Sequence, residues 1–299
     1  MLFKTIIFCL LSLVFSQHGE QFDWSTGIGT PNRAICVTGV KNQDPCDLCQ
    51  TFATMAAVEG AFCVADDFIV GIGKTSLSTQ QAFDALKGDC VTPPDPIQLI
   101  KYIGTNNIVY ESCYPWMAGS KLQPSDAQTK LNRCIGQLQY IPGPDYYQTF
   151  SYRKNNLNNA NQMKNLIKIE PFLVSMVVTD QWKYNYKSNS GVYTNTNCNN
   201  KQTTHAVLVV GYGVWPQDGS PSAGIPYFKF KNSWGTLWGY KGYGYVSQYI
   251  NFQTEQGPCG FYNAAVQYYY GNKLKSFNIN MFNDTSILND TSILNDIYI

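Results

Sequence analysis

The chain has 299 residues, of which 44% are apolar and 14% are charged, with 21 Lys and Arg against 20 Asp and Glu. A charge balance this close to zero leaves no electrostatic footprint for nucleic acid or for an anionic membrane surface, so we expect neither as a partner. The length and the apolar fraction are enough to bury a large core, as one big domain or as two lobes, which suits an enzyme.

Residues 1–16, MLFKTIIFCLLSLVFS, have the pattern of a secretory signal peptide. Lys4 is followed by an apolar run over residues 5–15, and Val14 and Ser16 stand at plausible cleavage positions. The run is shorter than the roughly 20 residues of a membrane-spanning helix, and no later segment offers a span. We therefore expect a protein of the secretory pathway, extracellular or in a lysosomal or vacuolar lumen, where cysteines are oxidised.

The first half of the remaining chain predicts three helices, over about residues 49–60, 78–87 and 95–104. Apolar residues recur at helical spacing in the first, which contains no proline. The second begins with a capping box formed by Ser78 and Gln81. The third opens with an Asp-Pro pair and ends at a glycine.

The second half, after a linker at residues 141–147, has a different pattern. One helix is predicted over about residues 159–169, ended by Pro171. Strand-like runs follow at residues 172–179, 205–213, 227–234, 242–249 and 264–270. This order predicts an α+β protein with a helical lobe over about residues 40–140, a strand-rich lobe over about 141–271, and a cleft between them.

Cysteine usage points to one unpaired thiol. Ten cysteines minus Cys9 in the leader leave nine, and an odd number in an exported protein indicates one free cysteine. Cys46 and Cys49, in KNQDPCDLCQTF (residues 41–52), are the candidates for special chemistry. Structural zinc would need a second ligand pair, which is lacking, and a thioredoxin-like redox pair expects an early strand, whereas the strands come late. A redox pair, a simple bridge, and a nucleophile beside a structural cysteine all stay open at this point.

The nucleophile hypothesis has a physical basis. Cys49 would stand at the N-terminus of a helix, where unpaired N–H groups and the helix dipole favour a thiolate. A nearby imidazole would stabilise the thiolate and later protonate a leaving amine. One histidine is counted after removal of the leader, His205 at the head of HAVLVVGYG, and it is the candidate. An isolated histidine is more often a satisfied core residue, but a free cysteine and an amide in KNSWG favour the catalytic interpretation.

Four motifs resemble those of the papain family of cysteine proteases: VKNQDPCDLCQTF (40–52), HAVLVVGYG (205–213), KNSWGTLWGYKGY (231–243) and CGFYNAAV (259–266). They stand in the family's order and, with FDW at residues 22–24, cover about residues 22–270. The resemblance implies a papain-like two-lobed fold with a helical left lobe, an antiparallel β-barrel-like right lobe and the active site in the cleft.

The same resemblance implies a secreted or vacuolar cysteine endopeptidase, with a peptidase domain over residues 17–271. We expect it to be a monomer that acts on polypeptides, that protein inhibitors can bind, and that uses no cofactor and no metal. Relatives that act as exopeptidases carry a second histidine on an extra loop, and with one histidine counted after the leader no such histidine is expected here.

Residue by residue, the resemblance makes Cys49 the nucleophile, His205 the general base and acid, and Asn232 the residue that orients the imidazole. Gln43 would donate its side-chain amide to the oxyanion hole together with the Cys49 backbone N–H. Trp234 would shield the bond between His205 and Asn232 from water.

With Cys49 assigned as the nucleophile, eight cysteines are left to pair. Eight cysteines allow many pairings, and the sequence alone does not choose between them. The expected disulfides are Cys46–Cys90 and Cys198–Cys259, implied by the resemblance, and Cys113–Cys134 and Cys36–Cys63, which follow by elimination.

Two departures from the family pattern lie next to the nucleophile. The family usually has Gly-Ser-Cys-Trp, whereas this chain has Asp47 and Leu48 before Cys49 and Gln50 after it, and a carboxylate there should raise the pKa of the thiol. Where the family has a Gly-Gly pair whose backbone hydrogen-bonds the substrate, residues 91–94 are VTPP, and proline has no N–H to donate. The alternative function is therefore a catalytically weak or inactive papain-fold protein with a binding or structural role.

The C-terminal tail, residues 272–299, is of low complexity. Residues 283–294 are a tandem repeat of NDTSIL, followed by a partial third copy. Each full copy contains an Asn-x-Thr sequon, at Asn283 and Asn289, so the tail is a candidate glycosylated extension. A repeat with no bearing on the fold is an equally good interpretation.

Overall fold

The structure is a computed structural model that describes residues 18–65, 76–137, 140–141, 150–155, 157, 159–194, 204–249, 258–262 and 265–270. The expected leader, the repeat tail with Asn283 and Asn289, and Cys198 lie outside these residues. Within the described ranges, no helix combines the length and the apolar character needed to cross a membrane.

The described part of the chain contains nine β-strands. They are β1 (Glu20–Asp23), β2 (Ile108–Val109), β3 (Tyr140–Ile141), β4 (Phe150–Asn155), β5 (Phe172–Met176), β6 (His205–Val214), β7 (Pro226–Lys231), β8 (Tyr243–Ser247) and β9 (Ala265–Tyr270). Seven of them form one antiparallel sheet in the order β4-β9-β5-β6-β7-β8, with β1 also paired to β6, while β2 and β3 form a separate ribbon. Each predicted strand run corresponds to a strand of the sheet.

Six α-helices are described. They are α1 (Cys49–Ala65), α2 (Thr79–Ala85), α3 (Pro96–Thr105), α4 (Pro124–Gly136), α5 (Ala160–Ile169) and α6 (Asp180–Asn185). All four predicted helices form, as α1, α2, α3 and α5, and the expected α+β class is confirmed. The sequence did not predict α4 or α6. The first carries apolar residues at helical spacing, with Leu131 and Ile135 packed beside buried Cys134, so its signal was present in the sequence and was missed, whereas the second is too short to show a stripe.

The N-terminal strand belongs to the sheet. Glu20 of β1 lies opposite Gly213 of β6, although the sequence analysis placed residues 20–23 outside both lobes. The pairing is between segments far apart in the sequence, and no local pattern predicts such a contact. The strand-rich half of the molecule is therefore completed by the start of the chain.

Helix α1 is the central helix and packs against β6. Its residues are buried on every face from Thr51 to Cys63. The prediction ended this helix near Gly60, but it continues to Ala65. A Cβ at residue 60 would lie 2.9 Å from Cγ of Pro171, so the glycine allows a close approach to the segment before β5, and that tertiary packing offsets its low helix propensity.

Three disulfides are present: Cys36–Cys63, Cys46–Cys90 and Cys113–Cys134. They are three of the four expected pairs. Cys259 is also disulfide-bonded, while Cys198, its expected partner, lies outside the described residues. Among the described cysteines Cys49 is free, so the redox pair of Cys46 with Cys49 is excluded.

Candidate active site

Cys49 is the first residue of α1 and is half-buried. Burial raises the pKa of its thiol above the ordinary value. Three backbone N–H groups act in the opposite direction by hydrogen bonding to the sulfur, those of Ala206, Gln50 and Cys49 itself. The first of these amides belongs to the residue after His205, so the start of α1 meets the start of β6.

His205 is the first residue of β6 and is buried. Its position follows from the sheet register, in which it lies opposite Met176 at the end of β5. Burial lowers the pKa of the imidazole to about 4, while a hydrogen bond to Asn232 raises it and the positive charge of Lys183 lowers it further. The Nε2 atom lies 2.8 Å from Oδ1 of Asn232.

Asn232 follows β7 directly, and its carboxamide orientation is set by a second contact. The Ser233 backbone N–H donates to the same Oδ1 at 2.8 Å. The ring of Trp234 stacks on the imidazole of His205, with centroids 4.5 Å apart and planes inclined by 29°. Trp238 meets Trp234 edge-on at 5.3 Å, so an aromatic pair covers the histidine.

Gln43 is buried between the two halves of the site. Its Oε1 accepts a hydrogen bond from the Ser233 hydroxyl at 2.6 Å, and its Nε2 donates to the Cys46 carbonyl at 2.7 Å. A carboxamide nitrogen carries two hydrogens, so Nε2 keeps one donor for a further acceptor.

Backbone pairing joins the segment before α1 to the segment after β7. The Gln43 N–H donates to the Ser233 carbonyl at 2.8 Å, and the Gly235 N–H donates to the Lys41 carbonyl at 3.0 Å. Because these bonds run between backbone atoms, they hold the candidate oxyanion donor and the candidate orienting asparagine in a constant register.

A buried ionic network, which the sequence analysis missed, lies behind Asn232. Glu59 of α1 accepts hydrogen bonds from the Thr38 hydroxyl and, at 2.7 Å, from a backbone N–H, and its Oε1 lies 3.4 Å from Nζ of Lys41. Burial alone would raise the pKa of Glu59, but Lys41 and Lys231 hold it below its ordinary value. Burial also lowers the pKa of Lys231 to about 8. The one available signal was a single glutamate on the helix that carries Cys49.

Residues 89–94 form a wall next to the segment that leads into Cys49. The Cys46–Cys90 disulfide and a 2.7 Å bond from the Asp47 N–H to the Cys90 carbonyl join this wall to that segment. The Asp89 carboxylate accepts the N–H groups of residues 91 and 92, at 2.8 and 2.7 Å. Residues 93 and 94 are prolines, so the sequence VTPP offers a substrate no free backbone donor.

His18 follows the expected leader of residues 1–16 and packs against the fold, so two histidines follow the leader, which corrects the expected count of one. Its ring stacks on Trp215 with centroids 4.8 Å apart, and its Nδ1 lies 3.1 Å from the Tyr245 hydroxyl. The Tyr227 hydroxyl donates to its carbonyl at 2.9 Å. These contacts anchor the N-terminal segment, and the candidate base remains His205, which carries the asparagine and tryptophan contacts.

A family model described as papain family cysteine protease matches residues 18–269. The chain belongs to the papain family. It is therefore a cysteine peptidase, a hydrolase, and the papain-like fold expected from its motifs is confirmed by solved structures.

Papain-family relatives align over most of the chain. The viral cathepsin of Autographa californica nuclear polyhedrosis virus is 29% identical over 265 residues, which is 87% of this chain and 68% of that protein. The pro-cathepsin H of Medicago truncatula is 30% identical over 236 residues, 75% of this chain and 56% of that protein.

Solved structures of the family superpose on the same region. The bromelain protease from Ananas comosus, in complex with the E64 inhibitor, has a TM-score of 0.62 at 25% identity and covers 83% of this chain and 97% of that chain. The digestive procathepsin L 3 of Tenebrio molitor larval midgut has a TM-score of 0.61 at 25% identity, over 83% and 69% of the two chains.

Proposed function

We propose that this peptidase is an endopeptidase of the secretory pathway, secreted or vacuolar, that cleaves polypeptides through Cys49, His205 and Asn232. The observation that carries the proposal is the 2.8 Å contact between His205 Nε2 and Asn232 Oδ1, made where the Cys49 sulfur meets the Ala206 amide. With Nε2 engaged by the asparagine, Nδ1 is the ring nitrogen available for proton exchange with the thiol.

In the first half of the reaction, the sulfur of Cys49 attacks the carbonyl carbon of the scissile bond and its proton passes to His205. The carbonyl oxygen takes the negative charge. The remaining hydrogen of Gln43 Nε2 and the Cys49 backbone N–H are the donors that stabilise this oxyanion. His205 then protonates the leaving amine, and a thioester to Cys49 is left.

In the second half, His205 accepts a proton from water, and the hydroxide attacks the thioester carbon. The same two donors stabilise the second oxyanion. Collapse releases the carboxylic acid product and returns the proton to the thiolate of Cys49. Throughout both steps, Asn232 holds the imidazole in one orientation and Trp234 covers the bond between them.

The charged forms of the two reacting groups are not favoured separately. Burial raises the pKa of Cys49 and lowers that of His205, so a thiolate alone and an imidazolium alone are both disfavoured. Formed together, they attract each other in a site where water screens poorly. The mechanism therefore requires the two charges to form as a pair.

Two charges near the reacting groups favour a second candidate function, that of a weak peptidase whose main role is binding. Asp47 destabilises the thiolate, and Lys183 destabilises the imidazolium. The discriminating measurement is the alkylation rate of the unreduced protein by a small neutral thiol reagent between about pH 4 and pH 8, with the labelled residue located by mass spectrometry.

Fast labelling of Cys49 at acidic pH, lost in His205→Ala, is the expected result for an ion-paired nucleophile. Labelling that rises only near the ordinary thiol pKa of about 8.5 would favour the binding role. Hydrolysis of denatured protein or fluorogenic peptides must also disappear in Cys49→Ala, and activity that persists in this variant would contradict the proposed nucleophile.

The proposal also covers the compartment of the enzyme, its oligomeric state and its binding partners. Three disulfides support an oxidising compartment. We propose a monomer that binds polypeptide substrates and protein inhibitors. Because the bromelain structure holds the E64 inhibitor, that compound is a direct probe of the site in this chain.

A further inference from the structure

A negative charge lies on the nucleophile side of the site. Asp47 precedes Cys49 by two residues, its side chain is exposed, and its backbone N–H is held by the Cys90 carbonyl at 2.7 Å. Its charge acts on the thiol of Cys49. The exposed carboxylate of Asp89 stands on the same wall, one residue before Cys90.

A positive charge lies on the histidine side. Lys183 is exposed on α6, the helix that follows β5, whose Met176 is opposite His205. The Trp182 carbonyl accepts the Trp238 indole N–H at 3.3 Å, which ties α6 to the loop that carries Trp234. Asp180 is exposed on the same helix, but Lys183 is the charge that acts on His205.

The charges of Asp47 and Lys183 both have the wrong sign to stabilise a thiolate at Cys49 and an imidazolium at His205. A carboxylate beside a thiolate and an ammonium beside an imidazolium are each unfavourable. Within the described ranges, neither Asp47 nor Lys183 takes part in an ion pair that would neutralise it. The arrangement becomes favourable only when a ligand brings the opposite charges.

The reaction itself determines which part of a substrate meets which charge. Cys49 bonds to the acyl carbon, so the acyl part lies along the nucleophile wall. His205 protonates the leaving amine, so the amine part lies along the wall of α6. Residues 91–94 offer no free backbone N–H, but the exposed carboxylates of Asp47 and Asp89 on this side can still recognise a charged group of the acyl part.

We propose that the cleft selects substrates with a basic side chain just before the scissile bond, facing Asp47 and Asp89, and an acidic group just after it, facing Lys183. The inference rests on the proposed function, because it assigns the two sides from the roles of Cys49 and His205. A bound substrate of this kind offsets both charges and so favours the thiolate and imidazolium pair. The preference therefore affects kcat as well as KM.

The test uses four peptides that differ only at the positions flanking the scissile bond: Lys then Glu, Glu then Lys, Lys then Gln, and Gln then Glu. The expected gain is roughly two- to fivefold in kcat/KM for each favourable charge, as for exposed ion pairs, and it shrinks at high salt. Asp47→Asn weakens the preference for Lys, Asp47→Asn combined with Asp89→Asn removes it, and Lys183→Met removes the preference for Glu. The exposed residues Asp126 and Lys101 supply matched controls, Asp126→Asn and Lys101→Met, which keep both preferences.

Two further measurements separate this inference from the proposed function. Peptide binding to Cys49→Ala ranks the four sequences without turnover. Labelling of Cys49 by a cationic and an anionic methanethiosulfonate of equal size is expected to be faster for the cation, and Asp47→Asn removes the difference. Charge-ranked binding with no hydrolysis by the wild type would support the inference and refute the peptidase mechanism. Equal or reversed ranking by an active enzyme would overturn the inference alone.

Discussion

Lys231 donates two hydrogen bonds to Thr38, to the carbonyl oxygen at 3.2 Å and to the side-chain oxygen at 3.0 Å. The Thr38 hydroxyl in turn donates to the carboxylate of Glu59. Lys231 is the residue before Asn232, and Glu59 belongs to the helix that begins at Cys49. The two halves of the candidate active site are thus joined below the surface by a buried charged network.

Removing one charge of this network is expected to destabilise the fold. Lys231→Met takes a cation away from the buried carboxylate of Glu59, and Glu59→Gln leaves Lys231 without its anion, so each single variant should lose about 3 kcal/mol of unfolding free energy. The double variant should lose clearly less than the sum of the two losses. Urea unfolding of the four proteins measures the coupling, and additive losses would mean that the two residues act independently.

The buried histidine makes stability depend on acid. The pKa of His205 is about 4 in the folded protein and about 6.5 in an unfolded chain, so between these values the unfolded state binds the proton more readily. Stability is therefore complete above about pH 6.5 and falls as the pH drops towards 4, by about 2 kcal/mol at pH 5. His205→Gln should reduce this pH dependence by that amount in denaturant titrations at pH 7.5 and pH 5, measured in the Cys49→Ala background, where no thiolate is present to pair with an imidazolium. An unchanged pH dependence would show that His205 is charged in the folded state.

Asp47→Asn should make Cys49 more reactive. Removing the carboxylate takes away one cause of the raised thiol pKa, so the rate of alkylation by neutral iodoacetamide near pH 6 should increase roughly two- to fivefold. Asp44→Asn is the matched control, since Asp44 is exposed and lies in the same loop but does not act on the thiol. A rate increase of equal size in both variants would point to a general charge effect instead.

Gln43→Glu tests the oxyanion hole with little change in shape. The variant keeps an oxygen for the Ser233 hydroxyl but loses the donor to the Cys46 carbonyl and the N–H for the oxyanion, so kcat should fall by about 100-fold or more. Alkylation of Cys49 creates no oxyanion, so its rate should fall far less, roughly by the two- to fivefold expected of a carboxylate near the thiol. A matching loss in both reactions would indicate that the substitution displaces the nucleophile instead.

Local patterns predicted those elements whose causes are local. The apolar run without proline in α1, the proline that opens α3, and the Asn159 cap of α5 are each contained in a few neighbouring residues. The capping box at α2 formed only in part. Ser78 accepts the Gln81 N–H at 3.0 Å, but the Gln81 side chain bonds instead to the Asn107 carbonyl and the Val109 N–H, partners that no local rule predicts.

The sequence by itself determined the chemistry available to this protein. The odd cysteine, the motifs around Cys49 and His205, and the late strands were enough to predict the class of fold, the family and the candidate residues. The tertiary structure decided which protonation states of those residues are favoured and which charges act on them. Burial disfavours the charged forms of the thiol and the imidazole, the charges of Asp47 and Lys183 act on them, and Glu59 meets Lys231 through Thr38. Desolvation and charge separation depend on residues that are distant in the chain and become neighbours only when it folds.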